Sequence, residues 1–255
     1  MRSLLAVFIL FLGTISFCTA QQEIEKIVQK GIELHDNGKY DEAIATYKMA
    51  LEIDENSVLA NYEISLSYLS LEDYKSAIEY ADKVIEQNTE LILPAYLTKG
   101  SSLDLLGRTE ESIQLFNEAI ETLEPHHLIQ FNLGINYFNI DSLSQAEENF
   151  TRAIELNPNH ASSHMMLAHI YDMRAKPVQT ALASSYFLFL EPNSNRSPDA
   201  FKMLSRSLSG KLSKDKDKPN TTLIQYDADD EDPFSAAELM ISLMAAAGGL
   251  DELRF

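Results

Sequence analysis

One pattern recurs five times along the 255-residue chain and limits its fold more than any other feature. Small residues stand at Gly31, Ser65, Gly100, Gly134 and Ala168, at steps of 34, 35, 34 and 34. A second small residue follows twelve positions after each, at Ala43, Ala77, Ser112, Ala146 and Thr180. A third column falls seven later, at Ala50, Val84, Ala119, Ala153 and Phe187. Self-similarity at this period marks stacked helix pairs, because one pair cannot bury its apolar face alone and must lean on its neighbours. Helices touching at ~8–10 Å leave room only for small side chains at the crossing. The large residues Leu34, Tyr68, Leu103, Tyr137 and Tyr171 fill the space between.

The clearest copy reads Gly38-Lys39-Tyr40-Asp41-Glu42-Ala43-Ile44, then Tyr47, Ala50-Leu51 and Ile53-Asp54. It is echoed by Asp73-Tyr74-Lys75-Ser76-Ala77-Ile78, and by Ala146, Phe150, Ala153-Ile154 and Leu156-Asn157-Pro158. These columns resemble the tetratricopeptide repeat from roughly Ile24 to Ser194. The resemblance implies an all-α, right-handed superhelical solenoid of about five hairpins, over 24–57, 58–92, 93–126, 127–160 and 161–194. Some positions depart from the family pattern. Its early aromatic is matched only by Tyr96, with Ile27, Asn61, Gln130 and His164 elsewhere. In the fifth copy Pro177 replaces the turn tyrosine and Phe187 enters a small-residue column, as in an atypical terminal repeat.

The resemblance also implies a concave groove lined by the first helix of each hairpin, holding a peptide or a partner helix. Carried onto this sequence, the groove positions are Val28, Ile32 and His35, then Tyr62, Leu66 and Leu69, then Leu97, Ser101 and Asp104. Phe131, Ile135 and Phe138 follow in the fourth hairpin, and Met165, His169 and Asp172 in the fifth. Each set has the i, i+4, i+7 spacing of one helical face. An apolar face of this kind is either inter-repeat core or a docking surface. The family's clamp for acidic peptide C-termini uses lysine, asparagine and arginine, whereas Val28, Ile32, Tyr62 and Leu66 stand here.

Residues 1–20 read as an export signal: Arg2, an apolar run from Leu4 to Phe17, and Cys18-Thr19-Ala20 before Gln21. The run is too short for a comfortable membrane span, and bulky Phe17 argues against lipid attachment at Cys18. Cleavage after Ala20 places the protein in a periplasm or outside the cell. The short basic end and Gln21-Gln22 suggest a bacterial source. The only cysteine leaves with this segment, so the remainder forms no disulfide. The net charge of −19 becomes −20 when Arg2 is removed, since residues 1–20 hold no acid. Such a charge disfavours nucleic acid and anionic membranes and favours a basic partner.

Beyond the repeats, Ser197-Pro198-Asp199 has the grammar of a helix start, and 197–210 reads as a capping helix ending at Gly210. Residues 211–220 form a lysine-rich linker, and 221–255 an acidic and apolar tail. In that tail Thr221 to Tyr226 favours strand, and Ser235 opens a helix carrying Leu239, Met240, Leu243 and Met244. The tail, over 221–247, could fold back into the groove. The finish at Phe255, without a polar end, reads as a chain with more to follow, and an enzymatic reading needs a domain further on.

Asp227, Asp229, Glu231 and Glu238 have part of a calcium-loop spacing, but Asp232 stands where the turn needs glycine. His160, His164 and His169 are spread over different positions of the repeat, which disfavours a metal site. His126-His127 lies at a repeat junction. Asn149-Phe150-Thr151 and Asn220-Thr221-Thr222 match the weak glycosylation pattern. No nucleophile elbow, phosphate loop or catalytic dyad is present, so the residues require no cofactor and no metal. The expected activity is non-catalytic binding of a protein or peptide.

Overall fold

The computed structural model describes residues 20–209, 212–214, 222–224 and 233–246. The signal segment up to Thr19, most of the linker and Asp227, Asp229 and Glu231 lie outside them. Helices pair along the repeats: α1 (20–36) with α2 (Tyr40–Ile53), α3 (Val58–Ser70) with α4 (Tyr74–Gln87), and α5 (Ile92–Leu105) with α6 (Thr109–Thr122). Then come α7 (His127–Asn139) with α8 (Leu143–Leu156), α9 (Ala161–Met173) with α10 (Pro177–Leu190), and the single α11 (Ser197–Leu208). The chain forms two compact units, one through Pro125 and one from His126.

Each hairpin turns in the same way. The first helix ends with a residue in the left-handed region at Gly38, Glu72, Gly107, Asp141 and Ala175. Around each, paired backbone bonds close the helix end. Gly38 N–H donates to His35 O at 2.8 Å and Lys39 N–H to Leu34 O at 2.9 Å. Ala175 and Lys176 do the same to Asp172 and Tyr171, at 3.0 and 2.9 Å. This two-bond closure satisfies carbonyls that the helix end would otherwise orphan. Leu34, Tyr68, Leu103, Tyr137 and Tyr171 are the residues whose carbonyls accept the longer bond. Ala175 pays the left-handed penalty with no polar side chain to offset it, at φ 52°. Ala175→Gly is therefore expected to stabilise the second unit by ~0.5–1 kcal/mol in urea unfolding.

The three columns of small residues are core. Ala43, Ala77, Ser112, Ala146, Ala50, Val84, Ala119, Ala153, Ala168 and Phe187 are all fully buried. In three hairpins the first-column glycine faces an aromatic ring sixteen positions on: Gly31 with Tyr47, Gly100 with Phe116 and Gly134 with Phe150. The fifth hairpin redistributes this volume, with Ser184 at the ring position and Phe187 one turn later, both at 0% exposure. Phe187 in the small-residue column is thus a volume-conserving swap within a packed core.

Two features of the C-terminal part differ from expectation. Leu212–Lys214, inside the stretch read as linker, is a strand (β1). It pairs antiparallel with Thr222–Ile224 (β2) in the register Leu212↔Ile224. Its backbone partner makes the strand, and so short a ladder needs a helix packed on it. That helix is α12 (Ser235–Ala246), which touches both strands and also α10 and α11. The tail helix therefore lies at the end of the hairpin stack and not along the groove helices α7 and α9. Being apolar on nearly every side, it carried no periodicity to aim it.

Candidate functional site

In the first unit the first helices of successive hairpins bring Ile32 on α1, Tyr62, Leu66 and Leu69 on α3, and Leu97 on α5 to half-buried positions. Val28 is not among them. It is 1% exposed and packs with Ile24, Ala43, Tyr47 and Ile64 in the core, so its side chain offers nothing to a partner. His35 is held at the seam by Ser67, with Nδ1 to Oγ at 2.8 Å, and its ring meets Tyr40 edge-on at 4.9 Å. Asp104 accepts the Thr109 hydroxyl at 2.7 Å.

The same seam holds two carboxylates that the groove positions did not single out. Tyr47 Oη donates to Glu63 Oε2 at 3.5 Å, and Asp36 lies near enough to repel Glu63. Burial and then Asp36 raise the Glu63 carboxyl above its ordinary range, against a lowering by the Tyr47 hydrogen bond. Burial and Glu63 in turn raise the phenols of Tyr47 and Tyr62. No cation forms an ion pair with Glu63 among the described residues. Glu63 follows Tyr62 directly in sequence, so a search for acids next to groove positions would have found it.

In the second unit Phe131, Ile135 and Phe138 on α7 are half-buried against a core of Phe150, Met165, Ile170 and Phe187. Met165, expected in the groove, is 5% exposed and belongs to that core. His169 is half-buried. Asp172 pairs with Arg206 of α11 at 3.1 Å, which ties the fifth hairpin to the capping helix. Arg174 bridges to Glu147 and Ser144 of α8.

Four histidines, His126, His127, His160 and His164, gather on one seam of this unit. The rings of His126 and His127 lie 4.5 Å apart at a 33° tilt, His127 meets His160 edge-on at 5.0 Å, and Phe131 meets His160 edge-on at 4.8 Å. His160 Nδ1 is 2.8 Å from Ser163 Oγ, and His164 Nε2 is 2.9 Å from Pro158 O. Burial, then His127, His164 and Arg196, push His160 down to about 4. Burial also lowers His127 and His164. Among the described residues no group of histidines and acids is arranged to hold a metal ion, and no helix is long and apolar enough to cross a membrane.

Three family comparisons match this chain as "TPR repeat" over residues 31–71 and as "Tetratricopeptide repeat" over 62–125 and 129–160. A TPR repeat-containing protein of Methanocaldococcus jannaschii is 28% identical over 160 residues, 62% of this chain and 28% of its own length. The chain thus spans little more than a quarter of that relative. Among solved structures, the pilF protein of Pseudomonas aeruginosa superposes with a TM-score of 0.62 at 20% identity, covering 92% of this chain and 93% of that one. YrrB, a TPR protein with an unusual peptide-binding site, gives 0.51 at 20% identity, covering 72% of this chain and 97% of its own. These likenesses establish the fold. With its five-fold columns, its repeated hairpin turns and the matched stretches, the chain carries tetratricopeptide repeats over residues 31–125 and 129–160.

Proposed function

We propose that this protein is a non-catalytic scaffold that binds a peptide or partner helix along the first helices of its hairpins, in the cell envelope. The observation that carries the reading is the face of Ile32, Tyr62, Leu66, Leu69 and Leu97 in the first unit. These side chains are neither closed in the core nor freely solvated. Half-buried apolar side chains on successive helices form the kind of groove into which an amphipathic helix or extended peptide lays its apolar side. Repeat folds typically serve protein–protein interaction, and YrrB, whose fold this chain shares, has a peptide-binding site. Glu63 and Asp36 give the groove an acidic edge, which suits a partner bearing lysine or arginine beside its apolar residues. In the second unit Phe131, Ile135, Phe138 and His169 offer a similar but more deeply packed face.

Export rests on Arg2, the apolar run from Leu4 to Phe17 and the small residues up to Ala20. Sequencing the N-terminus of the protein isolated from its host should find Gln21 first, and finding Met1 would end the envelope reading.

The groove is tested by crosslinking capture from the host with the parent and a Tyr62→Glu, Leu69→Glu variant. The variant should keep the parent's helical circular dichroism and lose at least ~30-fold of its partner signal, as for a truncated hot spot. An unchanged set of captured proteins would move the function away from this face.

A further inference from the structure

We infer that two copies of this chain associate through an uncharged face formed by α10 and α12, a contact independent of what the groove holds. On α10, Leu182, Tyr186 and Phe189 recur at i, i+4 and i+7, and they are 59%, 39% and 78% exposed. On α12, Met240, Leu243 and Met244 share a face at 58%, 45% and 49%. The two helices pack against each other within one chain, which puts both stripes at the C-terminal end of the second unit. At roughly 200 Å² for a large apolar residue, these six leave about 650 Å² of surface per copy. That approaches the ~800 Å² per partner of an interface of standard size, and is large for a patch with nothing over it among the described residues.

Charge selects the occupant. The fourteen residues of α10 contain no Asp, Glu, Lys or Arg, and α12 contains only Glu238. The chain as a whole carries −19. Two copies meeting almost anywhere else would press acid against acid, whereas this face brings them together with their charges held apart. Glu238 stands one turn from the buried Ser242, on the side of α12 away from the exposed stripe, so a dedicated basic partner would find no acid within the stripe to pair with. Composition points the same way, since one stripe is aromatic at Tyr186 and Phe189 and the other is methionine-rich. Sulfur and ring make favourable contacts, and each copy carries both halves. A two-fold pairing sets the α12 stripe of one copy on the α10 stripe of the other, and the reverse, so the contact is closed and stops at two.

Sedimentation velocity of the full chain tests this over about 1–100 μM protein and from about 0.1 to about 1 M salt. The expected result is a monomer–dimer equilibrium that tightens as salt screens the like charges. Phe189→Glu and Met244→Glu are each expected to weaken association at least ~30-fold. Both replace exposed side chains, and either one alone decides the question if the other perturbs folding. Phe189→Leu should still dimerise. A chain that stays monomeric throughout, a dimer indifferent to both glutamates, or a dimer that salt dissolves would each overturn the proposal.

Discussion

Replacing Phe116 by alanine is expected to cost about 3–5 kcal/mol of unfolding free energy, as when a large aromatic is removed from a close-packed interior. Its ring is 0% exposed. It lies so close over Gly100 that a Cβ at that position would overlap three ring carbons. Gly100 is inside α5, where alanine is ordinarily favoured over glycine by about 1 kcal/mol. Gly100→Ala should nonetheless destabilise, by ~1–3 kcal/mol, because overpacking against a ring that cannot leave outweighs helix propensity. In the Phe116→Ala background the same substitution should instead stabilise, since the methyl then enters the space the ring vacated and propensity acts unopposed. The change of sign is the signature of a glycine kept for one neighbour. A double-mutant cycle measures it, read by native-state hydrogen exchange in α5 and α6 so that the signal comes from the first unit. Additivity within about 0.5 kcal/mol would mean that Gly100 is there for another reason. Gly134 under Phe150 offers the same experiment in the second unit, where a Cβ would come within 2.5 Å of Cε1.

That pairing explains why the fold could be read from the sequence and the site only in part. A glycine opposite a ring is a steric requirement between residues sixteen apart, and it recurs at the repeat period, so it leaves columns in the sequence. Depth within the groove leaves no such trace. Periodicity places Val28 and Met165 on the same helical faces as Ile32 and His169. What buries them is the side chains of other helices, Tyr47 and Ile64 for the first, Phe150 and Phe187 for the second. Likewise, the left-handed turn at Ala175 follows from the backbone closure that all five hairpins share, not from any preference of alanine. The tail helix itself was legible from Ser235 onward, but its packing was not, because a helix apolar on most sides does not say which side faces in. The histidine seam was hidden for a different reason. His127 and His160 are far apart in sequence but nearly one repeat apart, and stacking of successive hairpins brings such pairs together. Counting histidines at the repeat spacing would have revealed the contact.

The same seam should make the second unit sensitive to acid well before the carboxylates titrate. The folded chain holds His160 at about 4 against an ordinary 6.5. Above pH 6.5 the ring is neutral in both folded and unfolded chains, and stability is complete. Between 6.5 and about 4 the unfolded chain takes a proton that the folded chain refuses, so stability falls as pH falls. Below about 4 both are charged and this loss levels off. His127 and His164 are lowered too and act in the same direction. Apart from histidines, Arg196 is the charged group acting on His160; it is held 2.6 Å from Glu191 and lies over the Phe187 ring. Protonating His160 therefore adds a cation beside a cation. At pH 5 the expected loss is ~1–2 kcal/mol after allowance for solvent screening, or about ten-fold faster amide exchange in α7 to α9 once the intrinsic rate is corrected. Glu63 acts oppositely in the first unit. Its folded carboxyl binds a proton more readily than the unfolded one, so its contribution is present at low pH and is lost as pH rises through the raised value. Acidification to pH 5 should thus loosen α7 to α9 and leave α1 to α3 unmoved or slightly firmer. His160→Gln, which can still bond Ser163 but cannot titrate, should remove much of the effect. If it leaves the pH profile of α9 unchanged, the seam is not what senses the acid.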